Sequence, residues 1–534
     1  MRRIQAFTTI MLAAALALGC DPATGGSDGG VPGDGAVVSL GPVRGFTPET
    51  SGFAFQNYTN DVPGLSNLTP TQMRQIFGDG VCARISAAGE CELKPTAREV
   101  MDFISRSMGG GHCEGMAVLS LLMHQGVHSP SSYGAATVPG LTLAGNPALQ
   151  NEIGRYFAFQ FPLSMARMGG TPNEQVERLR ASFADGSTEN YTIAFFKPDR
   201  TGGHAVTPYG ITDNGDGTVS IDIYDNNFPA QRRAIVVNTA ANSWSYEAAA
   251  TPGNPASLYQ GDASTNTLQI VPLSARLAQQ PCEFCGNVGT NTTMRRTVAS
   301  TGQADVLITD DAGHRMGRMD GALINEIPGA DAVAFLSDDL WADDQDPLYR
   351  IPAGSELTVE VSGGDLDAAE PTSVSLSGPG YVLGVEDIQL EPGQLDTVIF
   401  GRDTPEIYYQ TDGQETAEVG LAIETEAADW GFYIRSRGDS SGQVIEAAAD
   451  FENGEIFIAF DGADAESEFD LLIERDDDDG LLEFYHPNVV VPNGAALYVT
   501  YQEFDVDGEQ LVLLVDLDGD DVIDEEIPLT DDAR

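Results

Sequence analysis

The chain has 534 residues, 81 of them acidic against 27 basic, and a formal net charge of −54 at pH 7. Its length exceeds what one hydrophobic core organises, so two or three domains are expected. The charge excludes nucleic acid as a partner, and it is lopsided, because residues 301–534 hold 57 acids, 8 arginines and no lysine, a net of −49.

Arg2 and Arg3 precede an apolar run, Ile10–Leu18, that is too short to span a bilayer and reads as an export signal. The run ends Leu16-Ala17-Leu18-Gly19-Cys20, which resembles the lipobox of bacterial lipoproteins, with Ala17 where that pattern prefers Leu. The resemblance implies a signal peptide over residues 1–20, acylation of Cys20 as the mature N-terminus, and a place in the bacterial cell envelope with membrane contact only through the lipid. An ordinary signal peptide ending near a cysteine is the alternative. Residues 21–45, rich in Gly, Pro, Ser and Asp up to Val38, read as a flexible tether.

Residues of about 46–300 have a mixed pattern. Helices are predicted over Thr69–Phe77, with Thr69 as N-cap and Pro70 at the first helical position, and over Ala97–Met108, Glu114–Gln125 and Glu174–Phe183. Strands follow over Tyr191–Phe196, His204–Thr212, Val219–Tyr224 and Ala234–Asn238, with Asn214-Gly215-Asp216-Gly217 as a hairpin turn. Helices first and an antiparallel sheet after is an α+β plan. Cys82 and Cys91, and Cys282 and Cys285, read as two short-range disulfides in an oxidising compartment; a four-thiolate zinc site is the rival. Either reading leaves Cys113 outside the pairs.

Cys113 sits in Gly110-Gly111-His112-Cys113-Glu114-Gly115, where a glycine-rich loop enters an apolar helix. A helix N-terminus favours the thiolate, which is the nucleophilic form. His204 opens a strand after Gly202-Gly203. In Val219–Tyr224 the residues Val219, Ile221 and Ile223 share a face, and continuing that face gives Asp225. A thiol, a base and a group that orients the base are what acyl transfer through cysteine needs.

Gly203-His204-Ala205-Val206 with Tyr209-Gly210-Ile211 resembles the histidine strand of papain-like cysteine peptidases. Val219–Asn226 resembles the strand that ends in their orienting Asn or Asp, and transglutaminase-like proteins share the order. The resemblance implies an α+β papain-like domain over 46–300, Cys113 as nucleophile, His204 as base, Asp225 as orienter with Asn226 as the alternative, and a peptide or protein substrate. It also implies hydrolysis or transfer to an amine, without separating them. Ser107 stands where those peptidases carry an oxyanion-hole Gln, and Gln75 and Asn57 are distant substitutes. A non-catalytic surface binding or adhesion protein on the same scaffold is the alternative from another class.

From about residue 301 short alternating apolar runs, among them Glu356–Val361, Val419–Ile423 and Leu511–Val515, are separated by Gly, Asp and Pro. They predict acidic all-β sandwich modules over 301–410 and 411–534. Asp516, Asp518, Asp520 and Asp524 have the spacing of hard oxygen ligands, so Ca²⁺ is the one cofactor the sequence suggests. Residue 521 is Asp where such loops carry Gly, and no acid closes the loop at Ile527.

Overall fold

Prolines open four of the five longer helices in the N-terminal half. These are α1 (Pro70–Phe77), α2 (Pro95–Ser107), α4 (Pro147–Ala158) and α5 (Pro172–Phe183), with α3 (Cys113–His124) as the exception. The first turn of a helix needs no N–H from its first residue, so proline starts it without loss. The computed structural model describes residues 40–532 apart from 163–165, 201, 249–256, 289–294, 320, 338–345, 403, 439, 452, 478, 502–509 and 521. The expected signal peptide, Cys20 and most of the expected tether lie outside the described residues. Leu40 and Val43 are already buried among the helices, so the packed chain begins before the expected tether end at residue 45.

Helix α4 was not anticipated. Its signals are present: the Asn146 side chain accepts from the Leu149 N–H at 3.3 Å, Pro147 follows, and Leu149, Ile153 and Phe157 recur every fourth residue. Helix α3 carries more than the apolar stripe expected of it. Every residue from Cys113 to Met123 is buried, because α4 covers one side and the site sheet the other.

That sheet has seven antiparallel strands: β1 (Tyr191–Phe196), β2 (Gly203–Asp213), β3 (Thr218–Tyr224), β4 (Arg233–Asn238), β5 (Ser243–Ala248), β6 (Ser257–Asp262) and β7 (Leu268–Pro272), in the order β6-β5-β4-β3-β2-β1-β7. One face carries Ile193, Phe195, Val206, Ile221 and Ile223 against Val176 and Leu179 of α5. The other carries Ala194, Phe196 and Ala205 against Cys113 and Ala117 of α3.

The rest is mostly strand, as the alternation predicts. Among the described residues it forms antiparallel sheets of nine and eleven strands around one core that runs from Val298 to Leu529. Strand Arg295–Thr301 belongs to the nine-stranded sheet, so the expected boundary at 300 falls inside a strand. Both sheets also continue through residue 410: Tyr381–Leu390 pairs with Glu418–Glu424, and Glu406–Gln410 with Val444–Asp450.

The two halves are joined by core and by charge. Ala299, Phe335 and Leu348 pack in the same cluster as the helices. Helix α2 lies on the nine-stranded sheet, with Lys94 2.8 Å from Glu424, Arg98 2.8 Å from Glu474 and Arg106 3.0 Å from Glu386; Arg84 pairs with Asp476 nearby. Lys94, one of two lysines in the chain, thus meets a carboxylate of the acidic half that is almost wholly buried. Leu40–Arg534 form one compact unit. No described helix is long and apolar enough to cross a membrane.

Candidate functional site

Cys113 is the first residue of α3, preceded by Gly111 at φ 150° and His112 at φ −116°. It is fully buried and outside both disulfides, which join Cys82 to Cys91 and Cys282 to Cys285 with Cα atoms 5.4 and 5.3 Å apart. That pairing removes the four thiolates a zinc site would use. The Cys113 thiol donates to the Leu336 carbonyl at 3.5 Å. Glu114 beside it is buried in an ion pair with Arg276, which also donates to Thr192 Oγ1 at 3.2 Å and to the Pro272 carbonyl at 3.0 Å. The pair ties the start of α3 to β1 and β7.

His204 and Asp225 meet. Nε2 of His204 is 2.9 Å from Oδ1 of Asp225, and both side chains are fully buried. The same carboxylate oxygen accepts the Asn227 N–H at 2.9 Å, and Oδ2 accepts the Tyr246 hydroxyl. Tyr246 in turn accepts from Arg233 Nε at 2.6 Å. Burial by itself pushes the Asp225 carboxyl up. The charge of His204 and the hydrogen bonds from His204, Tyr246 and Asn227 outweigh it, so Asp225 is held below the usual carboxylate range. The anion therefore persists in a dry site, as a group that orients an imidazole must.

Strand pairing sets the approach. His204 faces Phe195 across the β1–β2 ladder, ring centroids 5.4 Å apart, while the neighbouring pair Ala194 and Ala205 faces Cys113. The His204 and Ala205 side chains therefore leave β2 on opposite faces, and it is Ala205 that packs with Cys113. Asn226 stitches the two sides together: its Nδ2 donates to the carbonyls of both Cys113 and Ala205 at 3.0 Å. Asp225, and not its neighbour, takes the imidazole; Asn226 positions the backbone.

Three residues here carry no sequence signal. Gln160, just past α4 and 4% exposed, accepts the Leu336 N–H at 2.8 Å and donates to the Leu336 carbonyl at 3.4 Å. Tyr246 and Leu336 arrive from β5 and from the nine-stranded sheet's side of the molecule. Asn57 was named only as a distant substitute. Its Oδ1 accepts the His112 N–H at 2.8 Å, and its own N–H donates to the Asn226 carbonyl at 2.9 Å. Gln75 lies in α1, within Pro70–Phe77. His112 stacks on Tyr58 at 4.0 Å and bonds the Tyr58 carbonyl and Asn67, so its ring turns away from the thiol.

In the acidic loop, carboxylate oxygens of Asp516, Asp518 and Asp524 lie within 4.8 Å of one another, a donor set suited to a hard cation. Asp520 stands outside that group, with its Oδ1 accepting the Val522 N–H at 3.0 Å. Fully buried Asp516 also holds the loop itself, accepting the Gly519 N–H at 2.8 Å. No protein-family model, curated protein or solved structure matches this chain.

Proposed function

We propose that this chain is a cysteine-dependent acyl-transfer enzyme acting on amide bonds, in the manner of a papain-like peptidase, held at the bacterial cell envelope by a lipid on Cys20. The observation that carries the reading is the buried His204–Asp225 pair, linked through Asn226 to the helix end that bears Cys113.

The helix N-terminus favours the Cys113 thiolate. With Nε2 committed to Asp225, the imidazole exchanges its proton through Nδ1. The thiolate adds to the substrate carbonyl carbon, and Gln160 Nε2 is placed to donate to the developing oxyanion. The C–N bond then breaks, the amine leaves with the proton from His204, and a thioester remains. Water completes hydrolysis; an amine acceptor would make the reaction a transglutamination.

The full burial of Cys113 and His204 favours a second reading, a binding or adhesion protein on an inert scaffold of the same kind. The pH profile of Cys113 alkylation by iodoacetamide separates the two. A thiolate–imidazolium pair keeps the thiol reactive down to about pH 6, whereas an isolated thiol titrates near pH 8.5. Burial slows the reaction and, by disfavouring the thiolate, moves an unpaired thiol's profile to higher pH, the opposite direction from pairing with an imidazole. The reading expects a low-pH shoulder in wild type that His204→Ala removes. Identical profiles in the two proteins would overturn it.

A further inference from the structure

Residues Ala334–Ser337 cross directly over the thiol. The chain leaves the nine-stranded sheet at strand Asp331–Val333, which pairs with Leu348–Pro352, and reaches the site sheet over the next few residues. Ala334, Phe335, Leu336 and Ser337 are all buried there.

Its backbone is held by side chains of the site. Arg167 Nη1 donates to the Ala334 carbonyl at 2.6 Å. The Gln160 amide takes both the N–H and the carbonyl of Leu336, at 2.8 and 3.4 Å. The Cys113 thiol donates to that same carbonyl. Reading a peptide through its main chain is how a cleft binds extended segments of varied sequence.

Two glycines make the room. A Cβ at Gly203 would overlap the Phe335 carbonyl, and one at Gly111 would overlap the Ser337 carbonyl. These residues adjoin the histidine and cysteine motifs, so the glycine-rich approaches to both form the walls of this channel. The side chains fill apolar sockets. The Phe335 ring lies edge-on to Phe157 and Phe161 at 5.4 and 5.3 Å, and Leu336 packs with Cys113, Ala117, Phe196 and Ala205.

We infer that Ala334–Ser337 occupies the acyl-donor cleft of Cys113 as an internal peptide ligand, and that the cleft takes extended apolar peptides with a leucine-like residue at the reacting carbonyl. The inference rests on the thiol reading above. The Leu336 carbonyl stands in for the substrate's, Gln160 is the group that grips it, and the enzyme is latent until this segment withdraws.

The test compares wild type with the Phe335→Ala/Leu336→Ala double variant and with Gln160→Ala, which removes both grips on Leu336 without touching the segment. Cys113 is alkylated at about pH 9, where a thiol is largely ionised with or without an imidazole partner. Both variants should label about tenfold faster or more, because a buried thiol reacts through its open population. Melting curves identify any variant that has merely unfolded, and the other then decides. If folded variants label no faster than wild type, the segment does not cover the thiol and the inference fails.

The substrate class is read by protection. Acetyl-Ala-Phe-Leu-aldehyde should block labelling of the Phe335→Ala/Leu336→Ala variant, which keeps Gln160: the thiol sulfur bonds to the aldehyde carbon and its proton moves to the oxygen. The Ala-Phe-Asp aldehyde at equal concentration should not. Equal protection, or none, overturns the assigned class. A flat low-pH profile with accelerated variant labelling would instead count against the Cys–His pair alone.

Discussion

Asn226 donates to the carbonyl of Cys113 at 3.0 Å and so couples the loop after β3 to the N-terminus of α3. Its neighbour Asp225 instead holds His204. The two side chains therefore fail differently when removed. Asp225→Asn should abolish the low-pH shoulder of Cys113 alkylation. Asn226→Ala should retain that shoulder while losing roughly 1–2 kcal/mol of stability, because two buried carbonyls lose a donor. Paired alkylation profiles and denaturant titrations check both; a shoulder lost in Asn226→Ala and kept in Asp225→Asn would reverse the roles.

His204 first and Tyr246 after it keep Asp225 ionised, and acid should reveal the tyrosine's share. A carboxyl held below its unfolded value contributes stability that is full above the unfolded pKa of about 3.9 and disappears as pH falls through the folded value. Removing the hydroxyl in Tyr246→Phe takes away one of the bonds that lower Asp225. Acid unfolding followed by near-UV circular dichroism should move to higher pH in the variant. An unchanged midpoint would mean that the hydroxyl does not stabilise the anion.

The opposite sign applies at the junction of the halves. Tyr433 donates to Glu99 Oε1 at 2.9 Å, yet burial and then Glu386 push the Glu99 carboxyl up to about 8. The folded protein must take up a proton that the unfolded chain lacks, so stability falls as pH rises from about 4.5 toward 8. Glu99→Gln should raise the melting temperature at about pH 9 by a few degrees and leave it nearly unchanged at about pH 4.5. An equal shift at both pH values would show a packing effect with no titration behind it.

Glu424 is the test of how firmly the halves are joined. It accepts from Lys94 at 2.8 Å, from Thr96 at 2.6 Å and from the Gly286 N–H at 3.1 Å, while the lysine is one-fifth exposed. Lys94→Met leaves a buried carboxylate short of its cation and should cost roughly 2–3 kcal/mol, with Lys94→Met/Glu424→Gln recovering much of it. Residues 1–300 expressed alone should not melt cooperatively, since Phe335 and Leu348 belong to their core. A sharp transition from that fragment would show the halves to be independent.

Calcium should act on the aspartate loop if its three clustered carboxylates form a ligand set. Asp520, then burial, then Asp524 and Asp516 raise the Asp518 carboxyl, so a cation there relieves repulsion. Ca²⁺ at about millimolar concentration should raise the melting temperature saturably, Mg²⁺ should not, and Asp518→Ala should remove the effect. Equal responses to both ions would indicate screening of the general negative charge.

Local chemistry was legible in the chain. Proline at the first helical position marked α1; the expectation for α5 starts at Glu174, two residues late, because it overlooks the capping box of Thr171 and Glu174 that starts the helix at Pro172. The alternation Val219, Ile221, Ile223 carried through to Asp225, which lies where that parity puts it, beside His204. Cys82 and Cys91 were close enough in sequence for their loop to close on itself. These features depend on neighbours within a few residues or on the period of one strand, which the sequence by itself determines.

Tertiary structure alone decided the rest. Tyr246 reaches Asp225 because β5 lies two strands from β3 in the sheet, and Gln160 reaches the thiol's surroundings because α4 packs on α3. The break in composition near residue 300 was real, but it is not a break in the core: Arg84, Lys94, Arg98 and Arg106 find carboxylates some 280 to 390 positions away, and Leu336 crosses back to Cys113. Such partners share no periodicity and no spacing. Each is chosen when two sheets and a helical layer bury their apolar faces together, and the polar groups trapped between them must then satisfy one another.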